Sequence, residues 1–174
     1  MRQKMCAVCS NFTQISFKQC RYLDMQDDFV CSPQCVIRWA VKYFNSIDIK
    51  SVKGVHKLNA YSNFSKRSQY ENRVAQFLNM NNINWEYEEY GFYLNAKIGL
   101  GSISTDSSKC LTYTPDFYLP EYNCFLEVKG VWMVGQKKKM RLFREQYPNV
   151  KLLVVSWLLY NKFNKYIDDL GVIK

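Results

Sequence analysis

The sequence predicts an α/β chain in which a small cysteine-rich module precedes a core running helix, strands, helix, strand. Three observations carry this. The chain has 174 residues, room for one compact domain and a small appendage but not for two full-sized domains. Five of its seven cysteines lie within the first 35 residues, and four of them form two closely spaced pairs. Beyond residue 67 the apolar positions recur at helical spacing, then alternate, then return to helical spacing, which is the pattern of a sheet layered with helices.

Composition narrows the class. With 48% hydrophobic and 22% charged residues the chain is globular, not disordered. No stretch approaches the roughly 20 apolar residues of a membrane helix; the longest late run, Leu152 to Tyr160, is nine residues and contains Ser156. Cys6 and Cys9 stand where a secretion signal would need an apolar core, so a cytoplasmic protein with no membrane partner is expected. Lys and Arg number 24 against 15 Asp and Glu, a formal charge of +9. Such an excess points to a polyanionic partner, most often nucleic acid. A merely basic soluble protein is the competing reading.

His56 is the single histidine. That excludes His-rich metal sites and Cys2His2 fingers, and a Ser/His/Asp triad would have to use a histidine in a polar segment with no nucleophile elbow. The cysteines point elsewhere. Cys6 and Cys9 form one short pair, and Cys31 and Cys35 another, separated by 21 residues. In an unsecreted chain such pairs read as metal ligands before disulfides, and four thiolates suit a structural Zn2+. The second pair leads into Val36, Ile37, Trp39, Ala40, Tyr43 and Phe44, a helical pattern. A knuckle followed by a ligand pair at a helix start resembles treble-clef zinc fingers, and Phe29-Val30-Cys31-Ser32 resembles their Phe-Cys-Ser variant. Cys20 is the spare thiol and the alternative fourth ligand. A module over residues 1–45 is too small to build much core, which is where a metal staple is needed.

The charge is uneven: residues 1–67 carry a net +7 and residues 68–174 a net +2. Zinc with four thiolates would bring the first segment to about +5. Residues 46–67 read as a basic linker in which Lys50, Lys53, Lys57, Lys66 and Arg67 lie among Gly, Ser and Asn, with Tyr61 and Phe64 interleaved. It is either a solvated tether or a segment that follows a phosphate backbone.

The core occupies residues 68–174. Ser68 and Glu71 make a capping-box pattern, and Tyr70, Val74, Phe77 and Leu78 continue it as a helix. Residues 85–94 are aromatic and alternating, a strand. Residues 99–108 are rich in Gly and Ser, and their Gly99-Leu-Gly101 is too weak a phosphate-loop signal to use. A strand is expected over 111–119, a turn at 120–123, a returning strand over 124–129, a helix over 136–147 closed by Pro148, a buried strand over 150–157 and a last short helix over 162–170.

On this framework Pro115-Asp116 is followed, eleven residues after Asp116, by Glu127-Val-Lys129. Residues two apart on a strand share a face, so Glu127 and Lys129 project together and Asp116 can approach them from the neighbouring strand. Two carboxylates beside a lysine repel each other as plain surface but suit a divalent cation, which takes oxygen ligands and acidifies bound water. Lys129 could orient the attacking hydroxide and stabilise charge growing on a phosphate. Glu71 either adds a third carboxylate or only completes its capping box. The Asp, Glu and Lys spacing is that of the PD-(D/E)xK nuclease signature.

Tyr113-Thr-Pro-Asp116-Phe-Tyr-Leu-Pro120, Phe125-Leu-Glu127-Val-Lys129-Gly130-Val-Trp132, Lys137-Lys138 and Arg144-Glu-Gln-Tyr-Pro148 together resemble the bacteriophage endonuclease I family of Holliday-junction resolvases. The Glu71 helix and Trp85-Glu-Tyr-Glu-Glu89 resemble that family's opening helix and first strand. The resemblance implies a restriction-endonuclease-like core of helix, mixed central sheet and helix, here behind an added zinc finger. It implies Mg2+ or Mn2+ held by Glu71, Asp116 and Glu127, with Lys129 as the catalytic lysine, and a homodimer cutting branched DNA in the host cytoplasm. A site-specific or homing-type nuclease aimed by the finger, or a nucleic-acid-binding protein with a vestigial core, are the alternatives. In the helix after Lys129, the residues Lys137, Arg141 and Arg144 fall at i, i+4 and i+7, either a DNA-facing stripe or a solvated face. Trp132 either stacks on a base or caps the core.

Overall fold

The computed structural model describes residues 1–15, 28–44, 46–58, 68–94, 111–130 and 135–171. Cys20, Tyr61, Phe64, Lys66, Arg67, the 99–108 segment, Cys110 and Trp132 lie outside them. A hairpin opens the chain, β1 (Arg2–Met5) antiparallel to β2 (Phe12–Ile15), with Met5 opposite Phe12. Between them runs the Cys6–Cys9 turn, in which the Ser10 N–H donates to the Cys6 carbonyl. Helix α1 (Pro33–Lys42) starts on Ser32, whose hydroxyl accepts from the Cys35 N–H, with a proline in its first turn.

The linker expected over 46–67 is corrected for residues 46–58. Asp48 caps a 3₁₀ turn, Ile49–Ser51, that leads into β3 (Val55–Lys57). This strand pairs antiparallel with β5 (Tyr90–Leu94). Buried Ile49, with Val52 and Val55 packed on the same cluster, holds the segment to the core. Three strand residues among Gly, Ser and Lys are too few to display a period.

Helix α2 (Gln69–Met80) has its full capping box, Ser68 with Glu71. The strands expected over 85–94 and 111–119 each break in two: β4 (Glu86–Tyr87) and β5, then β6 (Leu111–Tyr113) and β7 (Phe117–Leu119). Tyr87 pairs with Phe117 and Phe92 with Tyr113, so residues 88–91 face only 114–116. The extra residue makes a bulge, with Glu88 left-handed at φ 47°. Pro115, which cannot donate to a ladder, sits opposite. The bulge turns the paired strands from one sheet into another, β3-β5-β6 and β4-β7-β8-β9.

The second sheet is completed by β8 (Cys124–Lys129), antiparallel to β7, and β9 (Leu152–Ser156), parallel to β8. Helix α3 (Gln136–Gln146) is the crossover between them, the connection that parallel strands require. A 3₁₀ turn (Trp157–Leu159) and α4 (Tyr160–Gly171) follow.

Two apolar clusters lie on opposite faces of β8. Phe125 joins Phe92, Tyr113, Met140 and Phe143 under α3. Leu126 and Val128 join Val74, Phe77, Leu153 and Phe163 under α2 and α4. The cysteine module is part of this second cluster, through Phe29, Val30, Val36, Trp39 and Ala40, and Lys162 Nζ on α4 donates to the Cys31 carbonyl at 2.6 Å. It is a wing of the core, not a tethered appendage. Among the described residues no helix is long and apolar enough to cross a membrane.

His56 is a sheet residue. Its ring stacks on Tyr93 at 4.4 Å between centroids and covers Gly91, its partner across the ladder. Burial pulls its pKa below the usual histidine value. A Cβ on Gly91 would stand 2.5 Å from His56 Nε2. Gly91→Ala is therefore expected to cost about 1–3 kcal/mol of overpacking, read as a lower urea midpoint; an unchanged midpoint would refute this packing.

Candidate active site and cysteine centre

Phe125, Glu127 and Lys129 share the α3-facing side of β8 by alternation. A carboxylate buried at 2% exposure, as Glu127 is, needs partners on both oxygens. Lys129 Nζ ion-pairs with Oε1, and the Tyr113 hydroxyl donates to Oε2 at 2.8 Å. Asp116, at the bend made by the bulge, accepts the Val128 N–H on Oδ2 at 2.6 Å. The bulge thus turns the Asp116 side chain onto the backbone of the strand that carries Glu127 and Lys129.

The electrostatics follow from this crowding. Burial, then the Glu127 carboxylate, hold Asp116 well above the usual carboxylate range, against the Val128 N–H and Lys129. Burial also raises Glu127, although Lys129 and Tyr113 favour its charge. For Lys129 burial works against the ammonium, but Glu127, Asp116 and Glu71 outweigh it and raise its pKa. Two acids costly to ionise together offer carboxylate oxygens, the ligand type of a hard divalent cation.

Glu71 completes its capping box. Its Oε1 accepts from Ser68 Oγ at 2.6 Å and its Oε2 accepts from the Ser68 N–H at 3.2 Å, closing the capping box. The same Oε2 accepts from the Tyr87 hydroxyl at 2.7 Å, and its charge reaches Asp116 and Lys129. The three carboxylates are each engaged by protein donors. Among the described residues, only Cys6, Cys9, Cys31 and Cys35 gather their ligand atoms tightly enough for an ion.

Those four Sγ atoms lie within 4.8 Å of one another. Cys9 and Cys31 are 3.4 Å apart, Cys31 and Cys35 3.8 Å. Tetrahedral zinc with bonds of about 2.3 Å places sulfurs roughly 3.8 Å apart, so the set is compatible with zinc. Burial opposes the Cys6 thiolate, but the Cys9, Val8 and Cys31 amides outweigh it and lower its pKa to about 6. Burial, then the neighbouring thiols, push Cys31 up to about 12. Buried Cys124 lies in the central strand and takes no part.

Beside Glu127 and Lys129 opens a cavity of about 260 Å³, walled by Gln136, Lys139 and Met140 of α3 and rimmed by Thr112 and Thr114. The expected basic stripe does not line it. Lys137 is exposed. Arg141 is exposed and pairs with Glu145 of its own helix at 3.6 Å. Arg144 lines a different cavity, between Asp28 and Trp39 of the cysteine module and the start of β9. Lys53 is exposed beside the Gly54 turn, and Lys57 pairs with Glu89 at 2.6 Å. Sequence reasoning missed Tyr113, Tyr87 and Lys139. Lys139 was visible in the run Lys137-Lys138-Lys139, one helical turn before Phe143, whose apolar face marks the inner side. Glu88 was also missed: its N–H donates to the Asp116 carbonyl at 3.0 Å, and burial, then Glu71, raise its carboxyl.

Half-buried Asp116, buried Glu127 and Lys129 thus come together at the central strand beside an open cavity. The comparisons name the family. The family model for Phage endonuclease I matches residues 49–167, and the chain belongs to that family. It is 35% identical over 103 residues to Endonuclease I of Escherichia phage T7, covering 59% of this chain and 58% of that one. It is 33% identical over 89 residues to Endodeoxyribonuclease 1 of Enterobacteria phage T3, with 51% of each chain covered. The chain therefore spans only a little over half the length of the curated relatives it matches.

Tyr113→Phe keeps the ring packed on Phe143 and strips one hydrogen bond from a buried carboxylate. It is expected to lower stability by about 1–3 kcal/mol in urea denaturation. A wild-type midpoint would show that the phenol does not hold Glu127.

Proposed function

We propose that this chain is a divalent-metal-dependent DNA endonuclease of the PD-(D/E)xK type, hydrolysing phosphodiester bonds in branched DNA. The observation that carries the reading is the Asp116, Glu127 and Lys129 cluster at the strand bend, inside the segment matched by the family. The relatives' names as an endonuclease and an endodeoxyribonuclease support it. Glu71, Asp116 and Glu127 would hold Mg2+ or Mn2+, which when bound supplies an acidified water and neutralises phosphate charge.

The chain's own groups do the rest. Lys129 keeps its proton and offers its ammonium to the charge that develops on a non-bridging phosphate oxygen. Tyr113 fixes the Glu127 carboxylate by its Oε2, and the Val128 N–H fixes Asp116 by its Oδ2, so neither acid must reorganise. Carboxylates set in place this way are pre-positioned groups of the kind hydrolysis needs.

In this reading Cys6, Cys9, Cys31 and Cys35 bind one structural Zn2+ that staples the turn between β1 and β2 to the start of α1. The protein works in the host cytoplasm as a homodimer, since severing both strands at a branch needs two sites. Metal analysis of protein purified without chelator should give about one zinc per chain; a value near zero removes the finger.

A panel of four-way junction, flap, nicked, duplex and single-stranded DNA with Mg2+ or Mn2+ tests the activity, and no cleavage of any member would overturn it. Asp116→Asn should abolish cleavage while leaving DNA binding intact. The same change should raise stability without added Mg2+ at neutral pH. A carboxyl whose folded pKa is raised binds more protons folded than unfolded, so it lowers stability as pH rises through that interval. The stabilisation should therefore be largest at neutral pH and vanish below about pH 4, near the unfolded pKa. A wild-type cleavage rate would place the site elsewhere.

A further inference from the structure

We infer that the cavity on the α3 side of Glu127 and Lys129 is a binding subsite for a DNA backbone phosphate, with Lys139 as its counter-ion and the Thr112 and Thr114 hydroxyls as neutral donors. The inference rests on the nuclease reading above and adds the residues that hold the strand beside the cleaved bond.

The acids and the cations of the site occupy different sides. Glu71, Glu88 and Asp116 act on one another at the bulge and the end of α2. None of them lines the cavity, whose charged groups are Glu127, Lys129 and Lys139. Glu127 and Lys129 are paired with each other. Lys139 makes no ion pair among the described residues and is only half-exposed, so it adds an uncompensated positive charge to the wall. Such a charge beside two hydroxyls, one strand residue either side of Tyr113, is a lining for an anion. A backbone phosphate fits because phosphate contacts come from lysine and Ser/Thr hydroxyls and need no base. The space is open and of about 260 Å³, so the sugar attached to such a phosphate can follow it in.

The helix geometry explains why this lysine and not its neighbours. Met140 and Phe143 anchor α3 on the sheet, which turns Gln136 and Lys139 toward β6 and β8. Lys137, Lys138 and Arg141 are exposed on the outer side of the helix.

The test uses full-length protein carrying Asp116→Asn, so that DNA is bound and not cut, in buffer without chelator. Affinity for a fluorescent four-way junction and for plain duplex is measured across a salt series. Adding Lys139→Gln should weaken both by about tenfold and reduce the slope of log K against log salt by about one. Lys139→Arg should restore both, and Thr112→Val with Thr114→Val should lower affinity without changing the slope. Arg141→Gln, already paired with Glu145, should leave the slope unchanged. In the otherwise wild-type enzyme Lys139→Gln should raise KM and spare kcat, whereas Lys129→Gln should reduce kcat. Parental affinity and slope for Lys139→Gln, in protein with a wild-type melting profile, would overturn the subsite. Failure of the wild-type protein to cut any DNA would instead overturn the nuclease reading, and the two results are distinguishable.

Discussion

One buried carboxylate organises this protein. Glu127 sits at 2% exposure in the middle of β8, where an unpaired charge is prohibitively costly. Lys129 neutralises it from the same strand face, Tyr113 donates from the neighbouring sheet, and Asp116 is fastened alongside through the Val128 N–H. Tyr113 and Asp116 come from one segment, residues 111–119, and Lys129 from the strand of Glu127 itself. The bulge that brings β6 and β7 around the strand is what places two of them. Replacing this cluster by apolar residues of similar volume would cost the fold little and could stabilise it.

Much of this was legible in the sequence, for identifiable reasons. The face-sharing of Glu127 and Lys129 is a consequence of strand alternation and needed no tertiary information. The α2 capping box and the α3 crossover carried local signals, Ser68 with Glu71 and Pro148 after Tyr147. What the sequence could not show is anything set by pairing between distant segments. The bulge at Glu88 exists only because four residues of one strand face three of another. Read alone, residues 85–94 alternate well enough to be one strand. Strand β3 is a similar case, since its three residues owe their structure to β5. Tyr113 and Tyr87 were invisible as acid partners because an aromatic in a strand is first a packing residue.

Helix α3 shows how a correct element can yield a misplaced surface. Lys137, Arg141 and Arg144 do lie on one side of the helix, but the side that meets the site is set by where Met140 and Phe143 are buried. Rotating the reading by that anchor replaces the stripe with Lys139 and Gln136. Arg144 lies instead at the seam with the cysteine module, beside Trp39 and Asp28, whose indole N–H and carboxylate are joined at 2.7 Å. The basic residues of α3 are thus divided, Lys139 lining the cavity beside Glu127 and Arg144 an internal junction.

The same division alters what the net charge of +9 means. It pointed toward a polyanion, and most of the excess lay in the first 67 residues. Yet several of the lysines, though exposed, are held by partners within the structure. Lys42 Nζ donates to the Ala7 carbonyl within the cysteine module, Lys162 Nζ to the Cys31 carbonyl, and Lys57 is paired with Glu89. Two of these three hold backbone carbonyls in or beside the cysteine turns. A tetrathiolate zinc centre would carry two negative charges beyond the metal's own, and ammonium groups fixed nearby would offset them. The basic module is then partly a consequence of its own metal chemistry. The positive charge beside Glu127 and Lys129 is set by where residues such as Lys139 fall, which formal charge cannot distinguish from the others.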